Sequence, residues 1–268
     1  MYNSDFITHN LILFSMNKEQ KIYVGIGLDF ETGGLDPKDC ACTQIALQAV
    51  RFDTWQVIDR YKAYLSPYNK KDTGSERRKV LRTRRQQETE AAGIPMKYEE
   101  KALEYSGITM ETLQAKGIDH QRVAREVLDF AKRNTLDTSR QCKPVLIGQN
   151  IPFDIGFLQQ LMNYAGLTDE FEKTFAGIRD FYGNFQPRYI DTIDMGRLTF
   201  AADAGVTSYK LELVASHLGV ELDDAHDAEA DVTATLDVLG VYTSRLRNSD
   251  GAVIGTQKKE KTRKHFKI

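Results

Sequence analysis

Residues 22–29 (IYVGIGLD) constrain this chain more than any other segment. A short β-branched apolar run that ends in carboxylates and then glycines reads as a buried central strand followed by a turn. Residues 43–52 and 56–65 are two further β-rich runs separated by the turn at Asp53-Thr54, so they read as a hairpin beside that strand. From residue 68 to 93 the pattern dissolves into a polar stretch with Lys70, Lys71, Arg77, Arg78, Lys79, Arg82, Arg84 and Arg85, which reads as an insertion rather than core. Helical spacing follows at 98–106, 110–116 and 119–134, where Val123, Val127, Leu128 and Ala131 recur and Asp119 is the expected N-cap. Residues 144–148 (PVLIG) read as a buried strand, and Asn150-Ile151-Pro152 leads into a helix carrying Phe157, Leu158, Leu161 and Met162. A fifth strand is expected at 189–192, with helices around 195–202, 211–218 and 227–247. A hairpin and a third strand, then alternating helices and strands, predict an α/β fold: a mixed sheet flanked by helices.

Residues 21–248 read as one domain, although 268 residues with 41% hydrophobic content would also permit two. Residues 1–20 look like an extension, with Met16 as an alternative start to Met1, and 249–268 like a tail whose last residues are basic. The formal net charge of −2 does not advertise a polyanion partner, so any such contact must come from local basic clusters. Cys40, Cys42 and Cys142 are an odd count and too few for a closed structural zinc site, which points to free thiols and the cytoplasm. The apolar stretch 11–14 is too short to span a bilayer, and no membrane role is expected.

Asp29 and Glu31 lie two apart at the end of the first strand, so both side chains reach the same face. For that pair alone, two acids facing water is the commoner arrangement. Asp154 falls near a helix start, where an acid is comfortable beside the macrodipole. His226 and Asp231 are five residues apart, about 140° around a helix, and cannot share a helical face. With Asp227 as N-cap, His226 lies in the preceding loop while Asp231 projects from the first turns. His217, within an apolar helical pattern, reads as structural. The run Phe181-Tyr182-Gly183-Asn184-Phe185 is either a base-stacking platform or, more simply, a packed loop.

The order of these features resembles the DEDD exonuclease superfamily, histidine branch, which includes proofreading subunits of bacterial replicative polymerases. Its first motif is similar to Asp29-Phe30-Glu31-Thr32-Gly33-Gly34-Leu35, its second to Asn150-Ile151-Pro152-Phe153-Asp154 and its third to His226-Asp227-Ala228-Glu229-Ala230-Asp231. The segments Ser106-Gly107-Ile108-Thr109 and 210–219 extend the likeness, which covers residues 21–245 apart from 68–93. One departure is Gly33, where relatives often carry Thr or Ala; a more flexible backbone is expected there.

The resemblance implies a ribonuclease H-like five-stranded sheet and metal-dependent 3′-to-5′ hydrolysis. It also implies Mg²⁺ or Mn²⁺ as two ions, with Asp29 bridging both, Glu31 and Asp231 on the nucleophile-side ion, and Asp154 on the second. Repulsion among four carboxylates agrees with divalent cations, and all-oxygen ligation favours these two over zinc. His226 is implied as general base, since an imidazole accepts a proton near neutral pH. Thr32 and Gly33 would meet the 3′ hydroxyl, Leu35 would part the last bases, and Asn150 and Phe153 would line the site. The implied substrate is DNA, with RNA as the alternative, in proofreading, replication or repair alongside a polymerase or related protein. A silent nucleic-acid-binding subunit is the reading from another class.

Overall fold

The computed structural model describes residues 21–70, 93–222 and 227–248. The expected N-terminal extension, most of the basic insertion, His226 and the tail from 249 onward lie outside them.

Strand β1 (Val24–Thr32) is followed by β2 (Cys42–Arg51) and β3 (Val57–Tyr64), the expected hairpin, and then by β4 (Asn69–Lys70) and β5 (Ile94–Pro95). Helices α1 (Glu100–Ser106), α2 (Met110–Lys116) and α3 (His120–Arg133) come next, then β6 (Val145–Gly148), α4 (Pro152–Ala165) and α5 (Thr168–Thr174). A small hairpin, β7 (Gly177–Arg179) and β8 (Phe185–Pro187), precedes β9 (Tyr189–Asp191), and α6 (Thr192–Thr199), α7 (Leu211–Leu218) and α8 (Ala228–Asn248) close the order.

The main sheet runs β3-β2-β1-β6-β9. Its first three strands are antiparallel, whereas β6 pairs with β1 and β9 with β6 in parallel. This mixed five-stranded sheet flanked by helices is the fold class expected, including the fifth strand. The first strand runs three residues past the expected end, so both Asp29 and Glu31 lie within it. The helix expected at 195–202 starts earlier, at Thr192, because Asp191 caps it by accepting from the Ile193 amide. Asp119 caps α3 as expected, accepting from Gln121 and Arg122.

Period-two alternation on β1 divides the molecule. Val24, Ile26, Leu28 and Phe30 enter one core with Ile45 and Leu47 of β2 and the buried faces of α3 and α4. The opposite face of β1 offers Gly25, Gly27, Asp29 and Glu31, and there α8 lies against the sheet. A Cβ on Gly27 would come within 2.8 Å of Val232 Cγ1, so the glycine is what lets α8 approach this closely. A second core forms on this side from Ala46, Val50 and Ile147 with Val232, Leu236 and Leu239 of α8.

Tyr68 does not belong with the polar stretch that follows it. It is buried, accepts from the Cys42 amide at 2.7 Å and donates to Gln160 Oε1 at 2.7 Å. Gln160 donates in turn to the Cys40 carbonyl, fixing the loop after β1 onto α4. Strands β4 and β5 pair with each other and bring together the two ends of the segment 71–92. Among the described residues no helix is long and apolar enough to cross a membrane.

Candidate metal centre

Strand β1 presents Asp29 and Glu31 on its α8 face, as their spacing requires, and α8 brings Asp231 to them. Ligand oxygens of these three carboxylates lie within 4.8 Å of one another. Asp231 reaches them because the next residue, Val232, sits over Gly27, two positions before Asp29. Polar contacts to β2 and β3 hold the start of α8 in place. Gln44 accepts from the Ala228 amide at 3.1 Å, Gln48 donates to Thr233 Oγ1 at 2.6 Å, and Lys62 pairs with Asp227 at 2.5 Å. Asp227 also accepts from the Glu229 amide at 3.0 Å, so it is the N-cap expected. His226 lies just before that cap and outside the described residues.

Asp154 arrives from the other face of the sheet, in the first turn of α4, with Pro152 opening the helix. Its Oδ1 accepts from the Phe30 amide at 3.0 Å. Pairing between β1 and β6 ends at Gly27 and Ile147, which leaves that amide in need of another partner. The carboxylate therefore satisfies the strand while standing beside Asp29.

Crowding and burial both disfavour charge here. Burial, followed by the charges of Asp154, Asp231 and Glu31, holds Asp29 well above the usual carboxylate range. Burial and then Asp231 and Asp227 push Glu31 to about 7. Asp154 is pushed to about 8 by burial, against the hydrogen bond from Phe30, which favours its charged form. Several carboxylates that resist ionisation together form an all-oxygen donor set suited to hard divalent cations, whose charge would remove the penalty.

The expected substrate-side residues surround this cluster unevenly. Leu35 is 81% exposed in the loop after β1. Thr32 is buried, its hydroxyl donating to the Gly34 carbonyl at 2.8 Å. Gly33 is not the flexible point its residue type suggests: its amide donates to the Ala41 carbonyl and its carbonyl accepts from Glu99. A Cβ there would meet the Lys97 carbonyl at 2.6 Å, so close approach of the chain leading into α1 requires the glycine. Asn150 is exposed with φ of 54°, and its amide donates to Asp191 at 3.2 Å. Phe153 packs partly into the core, its ring 5.1 Å from that of Phe157.

His217 makes structural contacts, pairing with Asp203 at 3.1 Å and meeting the buried Phe200 ring edge-on, although it is exposed on α7. One expectation needs correction. In the aromatic run only Phe185 packs, whereas Phe181 and Tyr182 face solvent. Sequence reasoning also missed Asp191, Gln44 and Lys62, which hold the ligand-bearing segments; only their tertiary partners reveal them.

A family model for exonucleases (RNase T) matches residues 93–239. The chain belongs to this exonuclease family. As a member it is a nuclease of the DEDD superfamily, and the matched part includes Asp154 and Asp231. Asp29 and Glu31 precede the matched residues and join the cluster through the fold. Solved structures agree on that exonuclease fold. E. coli exonuclease I with a dT13 oligonucleotide is 20% identical, with a TM-score of 0.59 over 85% of this chain and 42% of that one. Exonuclease I of Methylocaldum szegediense is 22% identical, with a TM-score of 0.57 over 85% and 41%. A zinc-bound E. coli exonuclease I complex with single-stranded DNA is 21% identical, with a TM-score of 0.57 over the same shares. This chain thus spans about two-fifths of the length of those exonucleases. No curated protein matches the sequence.

Proposed function

We propose that this chain is a 3′-to-5′ exonuclease of the histidine branch that hydrolyses DNA from single-stranded or frayed 3′ ends and releases nucleoside monophosphates. The observation that carries the reading is the convergence of Asp29, Glu31 and Asp231 oxygens within 4.8 Å, with Asp154 beside them. Asp29, at the centre of the cluster, would be shared between two Mg²⁺ or Mn²⁺ ions, with Glu31 and Asp231 on one and Asp154 on the other. When bound, such ions offset the carboxylate charge and stabilise the attacking and leaving oxygens of an in-line displacement.

His226 takes one proton from the attacking water. The oxygen of that water bonds to the terminal phosphorus, the bond from phosphorus to the 3′ oxygen of the preceding nucleotide breaks, and that oxygen leaves protonated on the shortened strand. The cap at Asp227 starts the helix that carries Asp231 in its first turn. Leu35, exposed at the lip, parts the final bases. Thr32 and Gly33 shape the pocket for the terminal sugar, with Gly33 contributing closeness because its own amide is already bonded. Asn150 and Phe153 complete the wall. Residues 21–248 then form the exonuclease domain, working on nucleic acid in the cytoplasm, with a polymerase or repair protein as candidate partner.

Digestion of end-labelled oligonucleotides tests this reading, with single-stranded DNA, duplex DNA and RNA in parallel and Mg²⁺, Mn²⁺ or Zn²⁺ supplied. A 3′ label should leave at once as mononucleotide, while a 5′ label should yield a descending ladder, fastest on single-stranded DNA. Equal or faster RNA digestion would overturn the DNA preference, and early release of a 5′-terminal label would overturn the direction.

A further inference from the structure

Strand β2 is buried along nearly its whole length, yet it carries two glutamines, Gln44 and Gln48, each only 1% exposed. Pairing with β1 sets Gln44 opposite Glu31, Ala46 opposite Asp29 and Gln48 opposite Gly27, so the two glutamines bracket the position beside Asp29. Both reach across to the start of α8. Gln44 Oε1 accepts from the Ala228 amide at 3.1 Å, one of the first-turn amides that have no partner within a helix. Gln48 Nε2 donates to Thr233 Oγ1 at 2.6 Å and to the Glu229 carbonyl at 3.3 Å. The helix is thus held on both sides of Asp231, at Ala228 before it and at Thr233 after it.

Fold stability does not call for this arrangement. Gln48 Oε1 has no hydrogen-bond partner among the described residues, and a buried polar atom without one costs stability. An unbranched apolar side chain would fill the same space without that penalty. What the glutamines supply is direction. Val232 over Gly27 sets how closely α8 approaches the sheet, but apolar contact is non-directional and leaves the helix free to slide or turn. Hydrogen bonds at two points fix both its rotation and its axial position. Repulsion of Asp231 by Asp29 and Glu31 works against the approach, and neutral amides hold the helix without adding a charge to the cleft.

We propose that Gln44 and Gln48 are positioning residues for the metal centre: they hold Asp231 within coordinating reach of Asp29 and Glu31 before ions bind, and so set the affinity for divalent cations. The inference rests on the metal-dependent reading of the cleft.

The test uses the full chain with Gln44→Met and Gln48→Met made singly. The first removes the acceptor at the Ala228 amide. The second is the milder, because Thr233 Oγ1 still donates to the Glu229 carbonyl at 2.8 Å. Mn²⁺ binding is followed by electron paramagnetic resonance, with circular dichroism to check folding. Each variant should bind Mn²⁺ about tenfold more weakly or worse. The Mn²⁺ concentration that half-saturates digestion should rise by the same factor while kcat at saturating Mn²⁺ is largely kept, a split that general unfolding would not give. Gln44→Glu, which keeps an acceptor at the same amide, should bind Mn²⁺ at least as tightly as the wild type. Leu128→Ala, in the core on the other face of the sheet, should lower stability without moving Mn²⁺ affinity. Unchanged affinity in folded Gln48→Met would overturn the proposal, as would an equal loss of affinity in Leu128→Ala. If the wild type binds no Mn²⁺ the metal reading itself fails. Amide hydrogen exchange at residues 228–231 in chelator then decides whether the glutamines hold the helix start: it should quicken in Gln44→Met, and unchanged exchange would overturn that hold.

Discussion

The acidic cleft and the β7–β8 tip break the same rule in opposite directions. In the cleft, carboxylates are drawn out of water and pressed together until Glu31 rises to about 7 and Asp154 to about 8. At the tip, two aromatic rings are left in water. Neither is slack in the fold, since the cleft stands on the central strand and the tip on a hydrogen-bonded turn. Departures from burial on rigid scaffolds mark surfaces completed by something outside the chain. On this account cations complete the first.

The sharpest way to break the comparison is to neutralise the cleft. Asp29→Asn with Glu31→Gln should lower metal-dependent digestion by at least about a hundredfold, the order lost with one electrostatic stabiliser. Thermal unfolding in chelator should move upward in the same variant, because burial and repulsion no longer oppose charged groups. Loss of activity together with loss of stability would instead make the acids structural. Gly27→Val ranks next. Its side chain would collide with Val232 and shift Asp231 from its partners, costing about 1–3 kcal/mol of stability and, through misplacement, up to about a hundredfold in rate. Circular dichroism and the digestion assay together check that the rate falls more than stability explains.

Acidity sharpens the contrast further. Without divalent ions, Asp29, Glu31 and Asp154 keep protons in the folded chain that the unfolded chain releases near about pH 4. From there to about pH 8 the folded state binds more protons, so stability must fall as pH rises. Thermal midpoints in chelator should therefore decline from pH 5 to pH 8, and Mg²⁺ should flatten the decline; a rising midpoint across that window contradicts the burial of these acids. The smallest effect belongs to the tip, where Phe181→Ala with Tyr182→Ala should change stability by no more than about 0.5 kcal/mol in denaturant melts.

How much of this was legible in the sequence depended on whether the signal was local. Alternation on β1 placed Asp29 and Glu31 on one face, and the impossibility of a shared helical face between residues 226 and 231 placed the cap at Asp227. The parallel strand 189–191 and its neighbours followed from apolar runs and breakers. Nothing local announced that Gly27 seats α8, that Asp154 satisfies the Phe30 amide, or that Gln44 and Lys62 hold the start of α8, because each is a contact across more than a hundred residues. Gly33 was misjudged because its freedom is removed by tertiary neighbours, Ala41, Lys97 and Glu99, that its residue type does not announce. The aromatic tip was misjudged because an apolar composition suggests packing, while the turn network that prevents it lies in Asp180 and Gly183.

Mn²⁺ binding followed by electron paramagnetic resonance, in the intact chain and in Asp29→Asn, addresses the cleft most directly. The account predicts close to two bound ions per chain, magnetically coupled, reduced in the variant together with digestion while circular dichroism is unchanged. Undiminished binding and digestion in Asp29→Asn would contradict it.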